Sequence, residues 1–437
     1  MMKKIFISIF GIAIIIFIVI ILINTSNNTS RPTNNTIKIT KEEENINWDN
    51  FDTFELNITD STTITNEGIY HITGKISDGM LTINTDGYVK LVLDNVTITN
   101  NNGPAINIEN SKKTYIELKN ENTLTDNGNN ELNGAIYSKD DLIIEGDGKL
   151  VIKSNQDGIV SKDDLIINNG FITINSKDDG IIGKDSIEIN GGSIKITIEG
   201  DGIKTTNNQE EKGYILINDG NIDILSTGTD SQKSHKGIKA ETIIEINGGT
   251  FNINTTDDGI HSNGNITINN GKYTIISKDD AIHSDTLIEI NNGEFKISAA
   301  EGIEATYVKI NDGNIDISAS DDGINAGNKS SEYKTLVEIN GGNIIVTMEQ
   351  GDTDGVDSNG DIIINGGTIN IIGNSPFDYD GTGKINGGTV MCNNEQVTTI
   401  PNQMIGGPGM GKITNQRMDN KQQPNNSNMY RKERNIQ

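Results

Sequence analysis

The tetrapeptide Ile-Asn-x-Gly occurs ten times in this chain, and its recurrence leaves few folds open. Its asparagines are Asn168, Asn190, Asn218, Asn247, Asn269, Asn291, Asn311, Asn340, Asn365 and Asn386, and the shortest spacings are 20 to 22 residues. The longer spacings read as the same unit carrying an insertion. A fixed period in this range marks stacked repeats. On both sides of each corner apolar residues alternate with polar ones, as in Ile187-Glu188-Ile189 before it and Ile194-Lys195-Ile196 after it. Period two predicts strands with one buried face. Asn-x-Gly supplies residues that tolerate positive φ, so the chain can turn sharply there. Asparagines repeated at one corner can also stack into a hydrogen-bonded ladder.

A third short strand completes each unit. It reads Asp157-Gly158-Ile159, Asp179-Gly180-Ile181, Asp201-Gly202-Ile203, Asp258-Gly259-Ile260, Asp280-Ala281-Ile282, Glu301-Gly302-Ile303, Asp322-Gly323-Ile324 and Asp354-Gly355-Val356. Three short strands in about 22 residues predict an all-β chain, a right-handed parallel β-helix. Leucine-rich repeats have a similar period, but their leucine pattern is absent, and RTX nonapeptides are too short. Weaker coils upstream bring the expected number to roughly thirteen, about 60 Å of stack at about 4.8 Å per strand. The β-helix is expected over residues 46–391, with Trp48, Phe51 and Phe54 capping the first coil.

Outside the repeats, Lys3 and Lys4 precede an apolar run from Ile5 to Ile23. Nineteen residues at about 1.5 Å each nearly match a bilayer core, and the leading positive charges place the rest of the chain outside. Residues 1–24 are therefore expected to form a signal anchor or signal peptide, residues 25–45 a polar tether, and residues 392–437 a low-complexity, disordered tail. The location implied is the outer face of a bacterial membrane, or secretion, with the membrane as partner through that anchor and a monomeric state. With 61 acidic against 35 basic residues the formal charge is −26. That balance excludes a nucleic-acid footprint and offers oxygen ligands to hard cations. Cys392 is the single cysteine. It excludes an internal disulfide and is expected to be a small buried side chain.

Parallel stacking turns the acid before each Gly into a column. Several coils double it: Asp178-Asp179, Asp257-Asp258, Asp279-Asp280 and Asp321-Asp322. Carboxylates about 4.8 Å apart repel by about 0.9 kcal/mol per pair even in bulk water. Ca²⁺, which takes carboxylate and carbonyl oxygens, is the expected compensation. The candidate ligands are Asp178, Asp179, Asp201, Asp257, Asp258, Asp279, Asp280, Glu301, Glu304, Asp321, Asp322, Asp354 and Asp357. The plainer reading of each Asp is an acceptor of turn hydrogen bonds. Lys236, Lys239, His261 and His283 are candidate sugar contacts; His261 and His283, equivalent positions one coil apart, are also placed to share a metal, the plainer readings being charge balance for the lysines and a surface or turn-bonding role for the histidines. Because carboxylate pairs recur along the whole column, no pair is marked as catalytic for glycoside hydrolysis. The insertions Thr205–Gly213, Thr227–Lys236, Gly327–Lys334 and Met348–Thr353 all flank the acidic strand, as solenoid insertions around a working face do.

Gly68-Ile69-Tyr70-His71-Ile72-Thr73-Gly74 with Ser77-Asp78-Gly79, Tyr137-Ser138-Lys139-Asp140-Asp141-Leu142, the Asp-Gly-Ile coils and Ser375-Pro376-Phe377-Asp378-Tyr379-Asp380-Gly381 carry a family resemblance. Over residues 55 to 391 the chain resembles the clostridial-type carbohydrate-binding β-helix proteins, which are surface-attached, calcium-binding and similar in fold to pectate lyases. The resemblance implies calcium-dependent binding of acidic polymers such as polygalacturonate, and of cellulose, without cleavage. Family members often carry a lipoprotein cysteine, which this chain lacks. Flat glucan surfaces need aromatic platforms, and the one tryptophan lies outside the repeats. A calcium-dependent polysaccharide lyase, with Lys239 or Lys236 as base, is the alternative reading. A structural adhesin is a further one.

Overall fold

The computed structural model describes residues 46–402, apart from 130 and 352. The expected anchor and tether, and the tail from 403 onward, lie outside the described residues. Within them the chain is a parallel β-helix. One coil runs Ile181–Gly183, Ser186–Ile189 and Ser193–Ile198, and each strand pairs in parallel with its equivalents one coil before and after. The short strands form a 14-stranded sheet from Thr62–Ile64 to Ser375–Tyr379, close to the number of coils expected. The other two walls are continuous, because Tyr88–Asn100 runs through their corner and pairs with both Lys113–Lys119 and Glu121–Asp126.

The period-two pattern is the reason for this closure. Ile159, Ile181, Ile203, Ile238, Ile260, Ile282, Ile303 and Ile324 are wholly buried and occupy one register position of the short-strand sheet. Full burial of such a side chain contributes about 1.5–3 kcal/mol, and a coil alone has nothing to bury it against. Phe251, Tyr273 and Phe295 stack through three coils of the core, at 4.8 and 4.5 Å between ring centroids.

The corner divides its labour between two residues. The glycine takes the positive φ, for example +130° at Gly170 and +91° at Gly192. The asparagine builds the ladder: Asn190 Nδ2 donates to Asn168 Oδ1 at 2.9 Å, Asn218 to Asn190 at 2.6 Å, and so on through Asn247, Asn269, Asn291, Asn311, Asn340 and Asn365 to Asn386. Each such bond contributes about 1 kcal/mol net.

At the N-terminal end Phe54 stacks on Tyr70 at 4.8 Å, within the first coils. Trp48 and Phe51 instead lie on the outside of the wall, against Tyr115 and Tyr88, with Lys90 Nζ 5.0 Å from the indole ring centre. At the other end order continues past 392. Glu395–Val397 runs antiparallel to Thr389–Cys392, Ile400 is buried, and Asn402 Nδ2 donates to Tyr379 O at 2.9 Å. This hairpin blocks the last free strand edge. Cys392 is half-buried against the core, which raises its thiol pKa.

Candidate functional site

The short-strand sheet presents two parallel columns on its acidic side. The first is the acid before each glycine. The second is the residue after each buried isoleucine, and its register runs Tyr137, Val160, Ile182, Lys204, Lys239, His261, His283, Glu304, Asn325, Asp357, Asp378. The second column therefore passes from apolar through cationic to acidic residues. Its apolar start was not recognised in the sequence. Val160 and Ile182, only 0% and 5% exposed, pack outside the main core with Tyr137 and Leu132.

The first column is held by the backbone of the neighbouring coil. Asp157 Oδ1 accepts from Asp179 N at 3.0 Å, Asp179 from Asp201 N at 2.7 Å, Asp201 from Lys236 N at 2.9 Å, Asp258 from Asp280 N at 3.2 Å, and Asp322 from Asp354 N at 3.3 Å. One oxygen of each of these carboxylates is thus committed; the other meets Lys204 of the second column for Asp179 and Asp201 and His261 for Asp258, whereas Asp157 Oδ2 accepts from Asn133. Where acids are doubled, Asp179, Asp258 and Asp280 are buried, while their partners Asp178, Asp257 and Asp279 are more exposed. Asp157–Asp178–Asp179 and Asp257–Asp258–Asp279 bring carboxylate oxygens within 4.8 Å of one another.

Between Asp179 and Glu304 the protein supplies its own cations. Lys204 Nζ pairs with Asp179 and lies 3.5 Å from Asp201 Oδ2. Lys236 Nζ bridges Asp257 Oδ1 at 2.7 Å and Asp258 Oδ2 at 2.6 Å. His261 Nδ1 is 2.8 Å from Asp258 Oδ2, and His283 Nδ1 lies against Asp280 Oδ2 and 3.0 Å from Glu304 Oε2. Lys329, from the Gly327–Lys334 insertion, reaches Glu304 Oε2 at 2.8 Å. Burial alone would raise the Asp258 carboxyl, but His261 and Lys236 hold it well below the usual range. Burial opposes charge on Glu304 too, yet His283 and Lys329 bring it down to about 2. His283 is pushed up to about 11, its carboxylate partners outweighing burial.

Farther along, this compensation stops. Among the described residues no ion pair forms with Asp322, Asp357 or Asp378. Burial, then Glu301, Asp357, Asp321 and Asp354, raise Asp322 to about 8. Burial, then Asp354 and Asp378, raise Asp357 to about 6. Glu301, at the boundary, rises to about 7 through burial and Glu304. Asn325 Oδ1 and Asp378 Oδ1, the register neighbours of Asp357, are buried oxygens without a hydrogen-bond partner. An amide carbonyl and carboxylates left in this condition are of the donor type a hard cation takes, although they are not among the groups of described residues whose ligand atoms converge within 4.8 Å. Asn325 and Asp378 were not among the expected ligands. Asp378 follows Ser375, which replaces the acid that marks the other coils, and Asn325 carries no charge to attract notice.

The four expected sugar contacts differ in their freedom. Both nitrogens of His261 and of His283 are engaged, with Asn263 Oδ1 and Asp285 Oδ1 at the Nε2 ends. Lys236 is committed to Asp257 and Asp258, whereas half-buried Lys239 makes no ion pair among the described residues.

Three comparisons with known proteins bear on this arrangement. The profile of a family described as carbohydrate-binding domain-containing protein matches residues 59–301 and 274–399. The chain is 34% identical over 146 residues to a carbohydrate-binding domain-containing protein of Acetivibrio thermocellus, covering 30% of this chain and 51% of that protein. It thus spans about half the length of the curated relative it matches. It is also similar, at 30% identity and a TM-score of 0.42, to the structure of the polysaccharide lyase-like protein from C. thermocellum solved as a gadolinium derivative, covering 53% of this chain and 87% of that one.

Proposed function

The chain belongs to the family of carbohydrate-binding domain-containing proteins, and on that premise we propose that it binds acidic polysaccharide at the acidic edge through calcium, without cleaving it. The observation that carries this reading is the stretch from Asp322 to Asp378, where half-buried carboxylates crowd together and the Asn325 and Asp378 Oδ1 atoms lack partners. Calcium held by Asp322, Asn325, Asp357 and Asp378 would offset their repulsion and leave coordination positions for the carboxylates of a polyuronate. Lys239, unpaired in the same outer column, supplies a second contact of the right sign. A preformed edge built on a rigid sheet loses little ordering entropy when polymer docks.

Two further observations favour this reading over its neighbours. A lyase base must be neutral to take a proton, and Lys236 is held charged by Asp257 and Asp258 against the pull of burial. Cellulose needs a platform of open aromatic faces, whereas Trp48 is half-buried against Phe51, Tyr115 and Lys90 and the exposed Phe171 is a single ring. The working location that suits such a binder is the outer surface of the cell, reached through the apolar segment Ile5 to Ile23. Affinity electrophoresis through polygalacturonate gels tests the proposal. Migration should be retarded with calcium and restored by EGTA, by Asp322→Asn and by Asp357→Asn. Equal migration in all conditions, or release of unsaturated uronate from the polymer, refutes it.

A further inference from the structure

The two stacked histidines form a constellation that polymer binding does not explain. We propose that His283, Asp280 and Glu304, with His261 from the preceding coil, form a separate site for a borderline divalent transition cation such as zinc(II). His261 and His283 are register partners, and their rings stack at 4.7 Å with an interplanar angle of 20°. A ring nitrogen of His283 and one oxygen each of Asp280 and Glu304 all lie within 4.8 Å of one another, as do one ligand atom each of Asp258, His261 and His283. Asp258, Asp280 and Glu304 are buried, and the imidazoles nearly so, which sets the group apart from ordinary surface carboxylates.

The side of each ring away from the carboxylates is built as well. Asn263 Nδ2 donates to Glu241 Oε2 at 2.9 Å, which turns its Oδ1 toward His261 Nε2 at 3.1 Å. Asp285 Oδ1 stands 3.4 Å from His283 Nε2. Acceptors at Nε2 hold one hydrogen there, so a bound cation would have to displace only the proton that Nδ1 shares with a carboxylate. Metal-bound histidines are oriented in the same way by an oxygen acceptor at the outer nitrogen. Ligands about 2.1 Å from a tetrahedral ion stand about 3.4 Å apart. His283 Nδ1 is now 3.0 Å from Glu304 Oε2 and 2.5 Å from Asp280 Oδ2, so these pairs open by about 0.4 and about 0.9 Å when an ion enters. His261 Nδ1 now meets Asp258 in the adjoining triad, so to complete the set its ring must turn from Asp258 toward the ion. Lys329 stays on Glu304 as an outer partner.

Imidazole and carboxylate together suit zinc, whereas calcium takes oxygen alone. This site is therefore independent of the polymer reading, and its test uses no polymer. The full chain, stripped with EDTA and dialysed into excess calcium, is titrated calorimetrically with zinc chloride. One zinc per chain, at micromolar affinity or tighter, is expected, with at least tenfold weakening in both His283→Ala and Glu304→Gln. Absence of saturable zinc binding, or unchanged binding in both variants, overturns the proposal. Should either variant fail to fold, copper(II) loaded into the wild-type chain decides. Pulsed electron paramagnetic resonance must then show imidazole-nitrogen coupling, and its absence equally overturns the site.

Discussion

The acidic edge is one column of chemistry treated in two ways. From Asp179 to Glu304 lysines and histidines of the chain itself pair with many of the carboxylates, although burial still raises Asp179, Asp279 and Asp280. From Asp322 to Asp378 the edge continues without an ion pair to Asp322, Asp357 or Asp378 among the described residues, and Asp322 and Asp357 are driven up toward neutrality. Like charges stacked coil on coil are affordable only with a counterion. The first stretch carries its own, and in the second Asp322 and Asp357 are held toward their neutral forms instead, a condition that the proposed calcium would relieve.

The largest expected effect comes from breaking the balanced stretch. Lys236→Met leaves Asp257 and Asp258 without their shared ammonium, and removing one partner of a buried pair costs about 3–5 kcal/mol. Urea unfolding should show this loss with calcium present or absent. A change below that found for an exposed lysine would mean the stretch is not balanced by Lys236.

Calcium should act on the other stretch. At about a hundredfold excess over its dissociation constant it adds about 2.7 kcal/mol to the folded state. Asp357→Asn should abolish that gain, and a wild-type melt unchanged by EGTA would remove the distinction drawn here.

A smaller effect separates the stretches by pH. In chelator, Asp322 and Asp357 bind protons more tightly when folded, with pKa values of about 8 and about 6 against 3.8. The folded state then holds more protons than the unfolded one between these values, so stability falls as pH rises from about 4 to about 8. His283, raised to about 11, also loses part of its contribution above 6.5, so the decisive comparison is Asp322→Asn. In chelator at pH 8 that variant should gain about 1–2 kcal/mol after allowance for solvent screening, and its melting temperature should vary less between pH 5 and pH 8. Destabilisation of the variant at pH 8 would contradict the account.

The smallest effect on stability belongs to Lys239→Ala, within about 0.5 kcal/mol, in contrast with its neighbour Lys236. The same variant should weaken retention by polygalacturonate, and undiminished retention removes Lys239 from the binding edge.

The fold was legible because its signal is repeated: ten Ile-Asn-x-Gly corners and alternating isoleucines constrain every coil alike. The acidic column was legible for the same reason. What a single carboxylate does was not, because its partner is an amide or ammonium contributed by another coil 21 to 35 residues away, as for Asp179 with Asp201 and Asp201 with Lys236. Lys236 and Lys239 look equivalent in sequence, yet only the first finds acids within reach. The irregular ends were read least well. Trp48 and Phe51 pack on a side wall through contacts that no period encodes, and the hairpin at Glu395–Val397 lies beyond the last repeat.

The asparagine ladder points one way: every side-chain amide donates toward the preceding coil and accepts from the following one. Each coil therefore meets its neighbours with an identical head and tail, like a monomer in a polymer. Whole coils can be gained or lost between Asn247 and Asn291 with the seam closing again on the same bond. Duplication within the gene can thus lengthen or shorten the acidic edge without inventing a new joint.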